Sequence, residues 1–188
     1  SDIKLNLGCG ETKIKGYINV DKFGNPDVKQ DLDSLPWPWV TNSVTEIRLI
    51  HVLEHLGKET DIYLGIFKEM YRVCKHGAIV DIVVPDFRHD NFYADPTHVR
   101  VVTAFGLQLF SKKLNKSWIE QGGSNSPLGI YLDVDFELKK TIIKPSSHWY
   151  KLHPEKNVDV QLLQKESTIH NNLIEEYQMR LEVIKDTN

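Results

Sequence analysis

A chain of 188 residues that is 40% hydrophobic can bury one good core, so a single domain over 1–188 is expected. The net charge of −3 gives no general pull toward phosphate backbones, which argues against a nucleic-acid partner, and the only two cysteines, Cys9 and Cys74, are far short of a disulfide framework and form no C-x-x-C pair. The most apolar run, AIVDIVV at 78–84, is short and contains Asp81, and no N-terminal stretch resembles a signal peptide; a soluble, cytoplasmic protein with no membrane span is expected.

In chain order, short apolar runs bounded by turn residues predict strands at Ile3–Leu7, Tyr17–Val20, Asp27–Gln30, Glu46–Ile50 and Ala78–Val84. Between the last two, Ile62, Ile66, Phe67, Met70 and Val73 recur at helical spacing and predict an amphipathic helix over Lys58–Val73, hence a strand–helix–strand crossover and parallel pairing. After Pro85 the strand rhythm stops. Residues 87–130 hold ADPTH, a helix-like VTAFGLQLFSKK and the polar loop QGGSNSPLG, and are expected to form an insertion over the active face, a lid that covers substrate. Period-two alternation returns in FELKKTII (136–143) and YQMRLEVIK (177–185), which predict a closing antiparallel pair joined by a helix or loop over 149–172. The expected class is α/β, with a core of 1–86 and 131–188.

Gly8-Cys9-Gly10 directly follows the first strand, where glycine admits positive φ and lets backbone approach a ligand. The dinucleotide fingerprint fails here, because Lys13 stands at its third glycine and Asp21 arrives too early for a full crossover helix. Asp21, at a strand end, offers two carboxylate oxygens suited to a pair of ribose hydroxyls. An ordinary turn and a strand-ending aspartate would read the same way.

Further motifs decide the direction. LNLGCG, INVD, DLDSLP, HVLEHL and CKHGAIVDIVVPD occur in that order, and the order resembles the class I S-adenosylmethionine-dependent methyltransferases, in particular the type 11 methyltransferase-like group. The resemblance covers residues 3–86 and, in outline, the closing strands. It implies a Rossmann-like parallel sheet with a C-terminal antiparallel pair and a shortened first crossover. It also implies that Asn6, Leu7, Gly8, Cys9 and Gly10 cradle the methionine moiety of S-adenosylmethionine. Asp21 would hold the ribose, Asp31 with Leu32 would edge the adenine, and His51 would border the sulfonium. Trp37 and Trp39, in LPWPW, would either wall the site or pack beneath a proline-stiffened loop, the packing role being favoured.

His51, Glu54 and His55 fall at i, i+3 and i+4 and share a face if the chain turns helical after the fourth strand. H-x-x-E-H is also an inverted zinc-peptidase signature, but a motif abutting a strand in a small α/β domain has the wrong context. The spacing is similar to the E-x-x-E-H element by which some methyltransferases acting on small-RNA ends or quinone precursors hold a divalent ion. His51 in place of glutamate moves the preference from magnesium to Mn, Fe or Zn. ADPTH contributes His98 as a third ligand, with Asp95 orienting it, so the metal set is Glu54, His55 and His98. Without a metal, His55 or His98 is the general base.

The expected reaction is methyl transfer to a hydroxyl of a small molecule or sugar. Its rivals are metal-assisted methylation of an RNA end, suggested by Lys112, Lys113, Lys116, Lys139, Lys140 and Lys144, and a cofactor-binding module without catalysis.

Overall fold

The computed structural model describes residues 2–154 and 157–186. Residues 155 and 156, inside the expected 149–172 connection, and residues 1, 187 and 188, at the ends of the expected domain, lie outside the described residues.

The strands are β1 (Ile3–Leu7), β2 (Ile18–Asp21), β3 (Val28–Lys29), β4 (Val44–Ile50), β5 (Cys74–Pro85), β6 (Phe136–Pro145) and β7 (Ile174–Val183). They form one seven-stranded sheet in the order β3-β2-β1-β4-β5-β7-β6. The first five pair in parallel, and β7 runs antiparallel between β5 and β6. This is the mixed α/β architecture expected from the sequence. The predicted cores of all seven strands were placed correctly; β7 begins three residues earlier than expected, and β5 starts at Cys74 rather than Ala78.

Helix α1 (Thr60–Val73) carries β4 across to β5. Its Tyr63, Ile66, Phe67, Met70 and Val73 are buried, and they meet the sheet residues Leu5, Leu7, Ile47, Leu49, Val80 and Ile82 in the main core. Strand alternation sends the intervening residues to the other face. There Asn6, Arg48, Asp81, Arg180 and Lys140 lie in register across five strands, and this face remains largely polar and partly exposed. Arg180 grips Asp81 through Nε and Nη2 at 2.7 and 2.9 Å, and Lys4 meets Glu46 at 3.0 Å.

The first crossover has no helix. Residues 8–17 span from β1 to β2 as successive turns, held from behind by a chain of side-chain bonds. Asn6 and Asn19 are in register and both buried; Asn6 Nδ2 donates to Asn19 Oδ1 at 2.9 Å and to the Thr12 carbonyl at 3.0 Å. Asn19 Oδ1 also accepts from Ile14 N–H, while Asn19 Nδ2 donates to Asp27 Oδ2 at 2.7 Å. Lys13 closes the chain on Asp27 at 3.0 Å.

The expected insertion divides in two. Helix α2 (Asp90–Ala94) and the loop to Arg100 stand beside the end of β4, where Val99 N–H and Arg100 N–H both donate to the Glu54 carbonyl. Val102, Leu107 and Phe110 instead join the main core, and Phe110 stacks on Phe67 with ring centres 3.8 Å apart. The single helix suggested by VTAFGLQLFSKK is two, α3 (Ala104–Gln108) and α4 (Lys112–Glu120). The break falls at Ser111, whose side chain caps α4 by accepting from Leu114 N–H. A short α5 (Leu128–Tyr131) precedes β6, and α6 (Ser147–Leu152) and α7 (Val160–Ser167) build a second small core around Trp149 and Leu163.

Candidate functional site: a cleft and a histidine pocket

The strand order reverses between β1 and β4, and a cleft opens there beyond the carboxyl ends of the strands, the usual ligand position in such sheets. Gly8 follows β1, Asp21 ends β2, Gln30, Asp31, Leu32 and Asp33 follow β3, and His51, Val52, His55 and Leu56 follow β4; with Lys22, these residues line it.

The two glycines of the loop serve different ends. A Cβ on Gly8 would lie 2.5 Å from a Val52 methyl, so Gly8 lets the loop lie against the cleft wall. A Cβ on Gly10 would meet nothing within 4 Å, and Gly10 is needed for its φ of +49°. Cys9 N–H bonds the Val20 carbonyl, and Gly10 N–H bonds Asp21 Oδ2 at 2.9 Å. Asp21 Oδ1 accepts from Phe23 N–H at 2.9 Å. Asp21 is therefore fixed by one bond to each oxygen, and each oxygen keeps a second lone pair for a hydroxyl. Asp31 Oδ1 takes Asp33 N–H, and its other oxygen stands 3.6 Å from Lys22 Nζ. An open, acid-lined cradle with a fixed carboxylate at its side fits a nucleoside with ribose hydroxyls.

Of the residues the sequence nominated for the cofactor, Gly8, Asp21, Asp31, Leu32 and His51 line this cleft. Asn6, Leu7, Cys9 and Gly10 are not among its lining residues: Asn6 staples the crossover, and Leu7 and Cys9 are buried. Trp37 and Trp39 also pack away from it, in the main core, where Trp37 N–H donates to Glu69 and Trp37 Nε1 to the Leu32 carbonyl. Lys22, Gln30, Asp33, Val52 and Leu56 were missed, since nothing in their spacing marks them; they arrive through the turns after β2, β3 and β4.

A second pocket lies across His51, lined by His51, Glu54, Pro85, Asn91, His98, Glu175 and Glu176. His51 is not helical. It directly follows β4 at φ +54°, a costly conformation for a residue with a Cβ, and its ring reaches Glu176 at 3.0 Å. A single 3-10 turn, Leu53–His55, then turns Glu54 inward and His55 toward the cleft. His51 Nδ1 is 3.7 Å from Glu54 Oε1; Glu54 foremost, and Glu176 with it, raise the His51 pKa above its ordinary value against the opposing effect of burial.

Glu54, His55 and His98, nominated together from the sequence, do converge: one candidate ligand atom from each lies within 4.8 Å of the others. Arg100 anchors the contributing loop, donating to the Gly57 carbonyl at 2.7 Å with its guanidinium 4.1 Å over the Tyr63 ring. Asp95 Oδ2 stands 3.9 Å from His98 Nε2, too far for a hydrogen bond, and Asp95 has a further part besides the expected one. Its Oδ1 accepts from the Thr97 hydroxyl at 2.6 Å, and Thr97 Oγ1 meets His55 Nδ1 at 2.9 Å, whereas His98 Nδ1 is held by the Phe92 carbonyl at 2.7 Å. Asp95 thus orients His55 through Thr97.

No protein-family model matches the chain, and no curated protein matches it. Solved structures do. A SAM-dependent methyltransferase from Archaeoglobus fulgidus superposes with a TM-score of 0.61 at 17% identity, covering 96% of this chain and 86% of that one. A SAM-dependent methyltransferase from Methanosarcina mazei gives 0.52 at 14%, covering 99% and 94%. The chain has the fold of the class I SAM-dependent methyltransferases. Within this methyltransferase fold, a phosphoethanolamine N-methyltransferase from Haemonchus contortus, in complex with phosphomonomethylethanolamine and S-adenosylhomocysteine, gives 0.53 at 13% identity, covering 98% of this chain and 49% of that one. No helix among the described residues is long and apolar enough to cross a membrane.

Proposed function

We propose that this chain is a methyltransferase that uses S-adenosylmethionine to methylate a hydroxyl of a small molecule or sugar. One observation carries the reading: His51 lines both the acid-lined cleft and the histidine pocket, so a donor in the first and an acceptor in the second would meet at its ring. When bound, S-adenosylmethionine supplies a methyl carbon activated by a sulfonium, and the work left to the protein is alignment and exclusion of water. Asp21 fixes the ribose, Asp31 and Leu32 edge the base, and the His51 side holds the methyl end. A hydroxyl must lose its proton as the new O–C bond forms and the C–S electron pair returns to sulfur. Where no metal is bound, His55 or His98 takes that proton at Nε2, since the Nδ1 of each is already engaged.

The lysines that suggested RNA are in part neutralised, which supports a small acceptor. Lys112 pairs with Asp133, Lys139 with Glu137 and Glu182, and Lys144 with Glu175. A thermal-shift titration tests the donor. S-adenosylmethionine and S-adenosylhomocysteine at about 100 times their Kd are expected to raise Tm by about 5 °C or more, NAD not at all, and Asp21→Ala should abolish the rise. Stabilisation by NAD alone would sink the reading. A full adenosyl shift with no methyl transfer to any hydroxylated acceptor would leave a binding module instead.

A further inference from the structure

The geometry points to a divalent transition-metal site formed by Glu54, His55 and His98, set where the acceptor pocket adjoins the cofactor cleft. The Glu54 carboxylate is 1% exposed, and neither oxygen has a hydrogen-bond partner among the described residues. A buried carboxylate left so is costly unless something positive completes it.

The tautomers of the two histidines sharpen the point. A carbonyl can only accept, so the Phe92 carbonyl at 2.7 Å fixes the proton of His98 on Nδ1 and leaves Nε2 a bare lone pair. The Thr97 hydroxyl spends its proton on Asp95, so it accepts from His55 Nδ1–H, and His55 Nε2 is bare as well. That nitrogen stands 4.0 Å from Glu54 Oε1, too far for a hydrogen bond. Three groups that can only accept therefore face one another across the span that a bound cation bridges. Each imidazole is oriented from behind through its other nitrogen, as metal-ligating histidines are. His51 is a neighbour, but its Nδ1 lies 3.7 Å from the carboxylate on a half-exposed side chain and its Nε2 engages Glu176 more closely, at 3.0 Å. It does not fill the site.

Two imidazole nitrogens and one carboxylate oxygen suit Zn, Fe(II) or Mn and suit the hard ions Mg and Ca poorly. Three protein ligands leave coordination positions free, and the pocket bounded by Asn91, Glu175 and Glu176 adjoins them. The role assigned to the ion rests on the methyl-transfer reading: it would bind the acceptor hydroxyl and lower its pKa, the proton leaving to solvent, with His55 and His98 as ligands rather than bases. Binding of the ion does not depend on that reading.

The test is calorimetry on the full chain, free of affinity histidines and stripped by a chelator, titrated with ZnCl2, MnCl2 or MgCl2 alone. One equivalent of zinc is expected, with magnesium weaker by about 100-fold or more, and Co2+ should give the visible absorption of a low-coordinate nitrogen–oxygen site. Glu54→Gln and His98→Ala should each weaken zinc by about 100-fold or more, and Thr97→Val, which only unseats His55, by about tenfold. Circular dichroism checks that each variant folds; if His98→Ala does not, the Glu54→Gln and Thr97→Val pair decides. Zinc held no tighter than magnesium, or zinc binding that survives Glu54→Gln and Thr97→Val unchanged, would overturn the site. Asp21→Ala separates the two proposals, since it should lose the S-adenosylhomocysteine shift and keep zinc.

Discussion

Between β4 and β5 the chain crosses through α1, whereas between β1 and β2 it crosses through residues 8–17 without a helix. Both crossovers join parallel neighbours or near-neighbours of one sheet, a step that ordinarily takes a dozen residues or more and a helix. The α1 crossover is held by apolar burial: Phe67 is fully buried, stacked on Phe110 and edge-on to Phe136 at 5.8 Å. The short one is held by the Asn6–Asn19–Asp27 chain of amides and a carboxylate. Apolar packing is non-directional; the part around Phe67 that holds α1 puts no side chain of that helix into the cleft, although Leu32, Val52 and Leu56 of the same core line it. The polar chain is directional and fixes the loop that carries Gly8 and Gly10, so loop order and ligand affinity are joined there.

Three measurements would break or sharpen this contrast. The largest effect is expected from Phe67→Ala, which should lower unfolding free energy by about 3–5 kcal/mol in a denaturant titration. At a temperature where that variant remains folded, its affinity for S-adenosylhomocysteine should change by less than about threefold, because Phe67 itself does not line the cleft. A matching loss of affinity would show that the two crossovers are not separable. Asn19→Ala should cost less stability, about 1–3 kcal/mol, because Asn6 Nδ2 and Ile14 N–H lose their buried acceptor. It should weaken the ligand by tenfold or more at the level of about 1.4 kcal/mol, and unchanged affinity would contradict the stapling role.

The smallest effect is a pH response at the exposed end of the chain of bonds. Hydrogen bonds from the Asn19 backbone and side chain, then Lys13, depress the Asp27 pKa to about 2. Its folded value lies below its ordinary one, so its contribution is complete above about pH 4 and is lost as pH falls toward 2. The amide resonance of Asn19 should titrate with a midpoint near 2, and a midpoint near 4 would mean that Asp27 is not engaged.

The fold was legible because its signals are local: apolar runs between turn residues marked β1, β4 and β5, alternation marked β6 and β7, and the spacing of Ile66, Phe67, Met70 and Val73 marked α1. The cleft was legible at strand ends, where the order of motifs nominated Gly8 and Asp21 and both line it. It was illegible where side-chain direction depends on partners distant in sequence. Nothing in the spacing of Asn6 separates a ligand contact from an internal staple, and its role is settled by Asn19 in the adjacent strand. Thr97 of ADPTH carries no signal in the sequence, and its part depends on the 3-10 turn that brings His55 to its hydroxyl. The helix-like run 102–113 misled because Leu107 and Phe110, buried in the same core, keep helical spacing right up to the break at Ser111.

The outermost strand β6 ends the sheet with Lys139, Lys140 and Lys144 along its length. A border strand exposes backbone groups that could template a foreign chain, and lysines there, paired with carboxylates or not, resist the dry contact such growth requires. Fibril-like stacking is thereby discouraged on that flank, and exchanging the three lysines for valine would turn the border into a seed for aggregation.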